Sequence, residues 1–106
     1  MGRTARPKPE RLAAKLYAIR SRLDITQGEL IKRLGYRKSP LYPSSISEFE
    51  QGKREPPLLV LSAYAKLVGV PMEMLVDDDQ DLPENLPSQT GYEWVMKRVK
   101  TRQYQR

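Results

Sequence analysis

Apolar side chains recur at Leu12, Leu16, Ile19 and Leu23, with polar and small residues between them. That spacing lays them on one stripe of a helix. The segment 9–24 therefore predicts a first helix, with Pro9 in its first turn, where an N–H would be unpaired anyway. In "DITQGELIKRLG", Thr26 and Glu29 stand at the Ser/Thr-x-x-Glu spacing of a capping box. Leu30, Ile31 and Leu34 are the inward positions of this second helix, and Gly35 is its stop signal. A third helix begins between Pro43 and Ser45, with Ser45 and Glu48 repeating the capping-box spacing. Ile46 and Phe49 point inward, and Gly52 ends it.

"REPP" reads as a rigid extended turn, because each proline pushes its predecessor out of helical geometry. "LLVLSAYAKLVG" is apolar on most sides and predicts the buried helix of the set. "VPMEMLV" supplies a short fifth helix. Strand signals are almost absent, so the expected class is all-α, a five-helix core over residues 9–76. Residues 77–89 read as an exposed acidic linker with prolines. Beyond it, Thr90 and Glu93 make a third capping box. Tyr92, Val95, Met96 and Val99 form an apolar stripe beside Trp94, which predicts a basic amphipathic helix over 90–106.

Composition narrows the function classes. The chain has 106 residues, room for one small domain with tails. It contains neither cysteine nor histidine, which removes disulfides, the commonest general base and most zinc or copper chemistry. The acidic run lacks the central glycine and terminal glutamate of a calcium loop, so neither a metal nor a cofactor is expected. No apolar run reaches membrane-span length and the N-terminus lacks the apolar core of a signal peptide, so the expected location is cytoplasmic. Nothing in the sequence suggests an enzyme.

The net charge is +6, unevenly spread: +3 over residues 1–8, +4 over 9–76, −5 over 77–88 and +4 over 89–106. A basic arm, a basic body, an acidic linker and a basic tail follow one another. This distribution points to an anionic partner.

"TQGELIKRLG", "SSISEFEQGKREPP" and "LLVLSAYAKLVGVPMEML" together resemble the helix-turn-helix domain of the XRE (phage-repressor, Cro-like) family, over roughly residues 12–76. The most specific part is Ile46-Ser47 followed by Glu50, Gly52, Lys53 and Pro56, with Thr26-Gln27 upstream. The resemblance implies a DNA-binding transcriptional regulator, a dimeric repressor on a palindromic operator. It implies a phosphate contact for Gln27 at the start of the second helix. It also places Pro43, Ser44, Ser45, Ser47 and Glu48 on or near the groove side of the third, and makes Lys53 and Arg54 phosphate contacts.

Two departures stand out. Gly35 to Ile46 spans eleven steps, about five more than such a turn needs. Proline and two serines also stand where the family often carries Gln or Arg, so base readout falls to Glu48, to the inserted "YRKSPLY" or to DNA shape. Arg37 and Lys38 in that insertion are expected to reach phosphate or groove edge, with Tyr36, Leu41 and Tyr42 packed back as anchors. The stripe of Tyr92, Trp94, Val95, Met96 and Val99 is the expected dimerisation face. Packing on the core, or cover for a partner protein such as a toxin, are its competing uses. The alternative to a repressor is an antitoxin or protein-interaction module that uses the helical fold and the tail.

Overall fold

In the computed structural model, which describes residues 8–87, five helices follow in order. They are α1 (Leu12–Leu23), α2 (Gln27–Leu34), α3 (Pro43–Glu50), α4 (Leu58–Val68) and α5 (Met72–Val76). The described residues are all-helical, as the periodicity predicts. Gly35 and Gly69 close α2 and α4 at φ 65° and 77°, a left-handed turn that costs a glycine little. Of the predicted inward residues, Leu12, Leu16 and Ile19 of α1, Leu30 and Leu34 of α2, and Ile46 and Phe49 of α3 are buried, Leu23 and Ile31 are half-buried, and Val60, Tyr64 and Val68 of α4 join them in the core. α3 lies against both α1 and α2, so its orientation is set from two sides.

Three expectations change. The first helix begins at Leu12, not in the turn containing Pro9. Its N-terminal Arg11 makes no side-chain cap, and the cap comes instead from far along the chain. The Asp78 carboxylate accepts the backbone N–H groups of Glu10 (2.9 Å) and Arg11 (3.0 Å). A carboxylate at a helix N-terminus also meets the positive end of the helix dipole.

The segment expected as an exposed acidic linker lies along α1 over residues 77–87. Lys15, only 4% exposed, donates to the carbonyls of Met74 (2.7 Å), Asp77 (2.9 Å) and Gln80 (2.6 Å). Burial pushes its ammonium below the usual lysine range, and the carbonyls offset the lost hydration. Arg11 pairs with Asp81, Arg22 donates to the Pro83 carbonyl at 2.6 Å, and Leu86 is buried in the core. These contacts make 77–87 a strap.

α4 is buried along most of its length, but its first turn leaves Leu58 and Leu59 at 70% and 56% exposure. They follow the rigid Pro56-Pro57 pair, in which Pro56 is buried and Pro57 exposed. The predicted C-terminal helix, with Thr90, Glu93, Tyr92, Trp94, Val95, Met96 and Val99, lies outside the described residues, as do residues 1–7 of the basic arm.

Candidate nucleic-acid interface

α2 opens as predicted: the Thr26 hydroxyl accepts the Glu29 N–H at 3.1 Å. This sets Gln27 as the first helical residue, half-buried, at the end where unpaired N–H groups point outward. The connection after α2 is held at both ends. Tyr36 and Leu41 pack on the core, while Arg37 and Lys38 between them are exposed. Tyr42, expected as a third anchor, is 59% exposed and serves as the N-terminal flank of α3.

α3 starts at Pro43, whose ring suits a first helical position. The predicted box of Ser45 with Glu48 is replaced by another arrangement. Ser45 occupies the third helical position, and its hydroxyl accepts the Tyr42 N–H at 3.2 Å. That role buries Ser45 and withdraws it from the groove-facing set. With Pro43 at the helix start and Tyr42 as the flank, the cap falls on Ser45, and Glu48 takes no part in it. The Glu48 carboxylate accepts from Arg54 Nη1 at 3.2 Å instead.

The outward side of α3 is then short and polar. Ser44 is exposed, and Ser47 and Glu48 are half-exposed. Gln51, just past the helix, continues this row one turn further and donates from Nε2 to Ser47 Oγ at 2.7 Å. Sequence reasoning passed over Gln51. The signal was its helical spacing from Ser44, Ser47 and Glu48, the i, i+3, i+4, i+7 set of a single face. Lys53 and Arg54 are exposed immediately beyond. Arg37 and Lys38 thus precede the polar row and Lys53 and Arg54 follow it.

An ion pair joins the end of α3 to α1. Arg20 of α1 donates from Nε to Glu50 Oε2 at 2.7 Å and from Nη2 to Oε1 at 3.0 Å, and from Nη1 to the Ile25 carbonyl at 3.1 Å. The Arg20 side chain is 19% exposed and the Glu50 side chain 5%, so the pair lies in a water-poor seam between α1 and α3. A two-pronged guanidinium–carboxylate contact fixes direction as well as distance. Gly52, just past α3, is exposed, and a Cβ there would meet Ala13 of α1 at 3.6 Å, an ordinary contact. Its φ of 76° is what calls for glycine.

No helix among the described residues is long and apolar enough to cross a membrane. Neither the curated proteins nor the solved structures searched gave a match to this chain. A helix-turn-helix family model matches residues 16–75, from the middle of α1 to α5. That span covers more than half of the chain and contains α2, α3 with its polar row, the Arg20–Glu50 pair, α4 and nearly all of α5. The chain belongs to the helix-turn-helix family of XRE type, a family of DNA-binding regulators.

Proposed function

We propose that the protein is a sequence-specific transcriptional repressor that binds a palindromic operator as a dimer. The observation that carries this reading is the polar row Ser44, Ser47, Glu48 and Gln51 on α3, with exposed cations on either side of it in the chain. A helix of this width enters the major groove, where each base pair presents its own donor and acceptor pattern. Gln51 offers a bidentate partner for adenine and Glu48 an acceptor for the cytosine amino group. Gln27, Arg37, Lys38, Lys53 and Arg54 meet phosphates and set the register. One such helix reads too few base pairs to address a genome, hence the two-fold site.

The tail residues Tyr92, Trp94, Val95, Met96 and Val99 serve as the dimer contact in this reading. The strap indicates where to cut for the test. Because Leu86 belongs to the core, truncation after Pro87 removes the tail and leaves the bundle intact. Sedimentation of the full and truncated chains at tens of micromolar should show a dimer and a monomer; equal dimerisation of both would exclude the tail. Footprinting on the upstream region of the protein's own gene, with a salt series on random duplex, tests DNA binding itself. A second reading, an interaction module for a partner protein such as a toxin, draws on Leu58 and Leu59. They are the large aliphatic side chains left exposed among the described residues.

A further inference from the structure

The polar face of α3 carries a negative charge, which is unusual equipment for a surface that meets phosphates. Glu48 sits in the sixth position of α3, and Arg54 follows the turn at Gly52. The turn folds back on the helix: the Lys53 N–H donates to the Glu48 carbonyl at 2.9 Å. The Arg54 guanidinium lies over the Phe49 ring, 5.7 Å from its centroid, and reaches Glu48 Oε1 at 3.2 Å. The side chains remain 57% and 45% exposed for Arg54 and Glu48, so the pair opens at little cost. The contact uses one carboxylate oxygen, which leaves Oε2 for another donor.

We propose that the Glu48–Arg54 pair is a specificity gate for duplex DNA, closed on random sequence and opened by an amino group on a base edge. The inference rests on the DNA-binding reading above. Beside a duplex, Arg54 chooses between Glu48 and a phosphate, while Glu48 chooses between Arg54 and a base edge. Guanine N7 and O6, adenine N7 and thymine O4 are acceptors, and a carboxylate gains nothing from them. Against such edges Glu48 keeps Arg54, and the neutral pair displaces no counterion from the DNA.

A base amino group, cytosine N4 or adenine N6, is a donor and suits a carboxylate. Where it meets Glu48, the carboxylate is satisfied without Arg54, and the guanidinium moves to phosphate. A correct base pair is then rewarded twice, by its own hydrogen bond and by the released phosphate contact. A negative charge acting alone would only repel DNA, without reference to Arg54. Dependence on Arg54 is the feature that separates the two.

The test uses the full chain and fluorescence anisotropy over a salt series. Its probes are a random-sequence duplex and a duplex selected by the wild-type protein from a random pool. Glu48→Gln keeps the side chain's shape and removes its charge. It is expected to tighten random-duplex binding about fivefold, the scale of a strong exposed ion pair. The log–log salt slope should steepen by about 0.9, one added phosphate contact. The preference for the selected duplex should shrink. With Arg54→Ala already in place, Glu48→Gln should relieve only the repulsion of a lone carboxylate, with a clearly smaller gain in affinity and no added phosphate contact in the slope. An equal gain in both backgrounds would reduce Glu48 to a plain repulsive charge, and no gain in either would remove it from the interface; each overturns the gate. Measurement below the melting transition, followed by far-UV circular dichroism, keeps folding out of the comparison. If the wild-type protein binds neither duplex even at low salt, the DNA-binding reading itself fails, and the gate with it.

Discussion

At the N-terminal end of α1, Lys15 is 4% exposed and donates to three backbone carbonyls, and Arg11 pairs with Asp81 nearby. At the far end of α3, Lys53 stands in solvent, and Arg37 and Lys38 do the same on the connection that leads into it. The two regions use the same residue types for different purposes. Around the strap, basic side chains hold the chain together, and their charge is offset by carbonyls and carboxylates. Around α3, exposed cations keep their charge available to an anion. A net charge of +6 therefore overstates the field available to DNA from some residues and understates how local it is. The Arg20–Glu50 pair joins α1, which carries the strap, to the end of α3.

The comparison breaks most visibly at that bridge. Glu50→Ala leaves the Arg20 guanidinium in a water-poor seam without its carboxylate, at an expected cost of about 3–5 kcal/mol. Urea unfolding measures the loss. Because the pair joins the end of α3 to α1, DNA affinity should fall as well, even at temperatures where the variant is fully folded. Unchanged affinity under those conditions would mean that packing alone orients the helix.

Lys15→Met probes the strap side. Three carbonyls lose a charged donor, and the expected destabilisation is about 2–3 kcal/mol. The salt slope of DNA binding should stay as it is, because this charge is already spent inside the molecule. A slope that drops would place Lys15 among the DNA contacts and erase the division between the regions.

Lys53→Ala is the mirror experiment. Stability should move by no more than about 0.5 kcal/mol, as at most exposed positions. The log–log salt slope should decrease by about 0.9, on selected and random duplexes alike. Random-duplex affinity that ignores the substitution would remove Lys53 from the phosphate contacts.

The smallest effect sharpens the comparison through pH. The N–H groups of Glu10 and then Arg11 hold the Asp78 carboxyl below its usual range. A folded-state value below the unfolded one contributes stability above the ordinary carboxylate range, and that contribution is lost as pH falls through the depressed value. Asp78→Asn should therefore melt below the wild type at neutral pH, with the gap closing in acid. Asp77 and Asp81, also held low, should weaken the wild-type strap over the same acid window. A gap that persists at low pH would show that Asp78 acts by shape rather than by charge.

Much of this molecule is legible from local pattern. The inward residues of α1, α2 and α3 were readable because helical periodicity and burial are the same fact seen twice. Thr26 and Gly35 were readable because caps act within a few residues of where they stand. Local pattern misplaces the residues whose partner lies elsewhere. Ser45 looked like a cap for the residues after it, but Pro43 had already started the helix, so its hydroxyl served the residue before it. Glu48 was free to meet Arg54 only once that start was known. α1 starts at Leu12 rather than near Pro9, and the N–H groups of Glu10 and Arg11 just before it are capped by Asp78, 67 or 68 residues away in sequence.

By itself, the sequence determined the helical class, the inward stripes, the ends of α2 and α4, and the family to which the chain belongs. Each of these depends on spacings within one or two helical turns, where backbone geometry is nearly fixed. The tertiary structure decided which charges are spent and which remain. It turned an apparent linker into a strap with Leu86 in the core, buried Lys15 beneath three carbonyls, and paired Glu50 at the end of α3 with Arg20 of α1. It also left Arg37, Lys38 and Lys53 in solvent. A lysine's letter carries the same charge everywhere. Whether water, a carbonyl or a phosphate receives that charge depends on which distant backbone the fold brings to within about 3 Å of it.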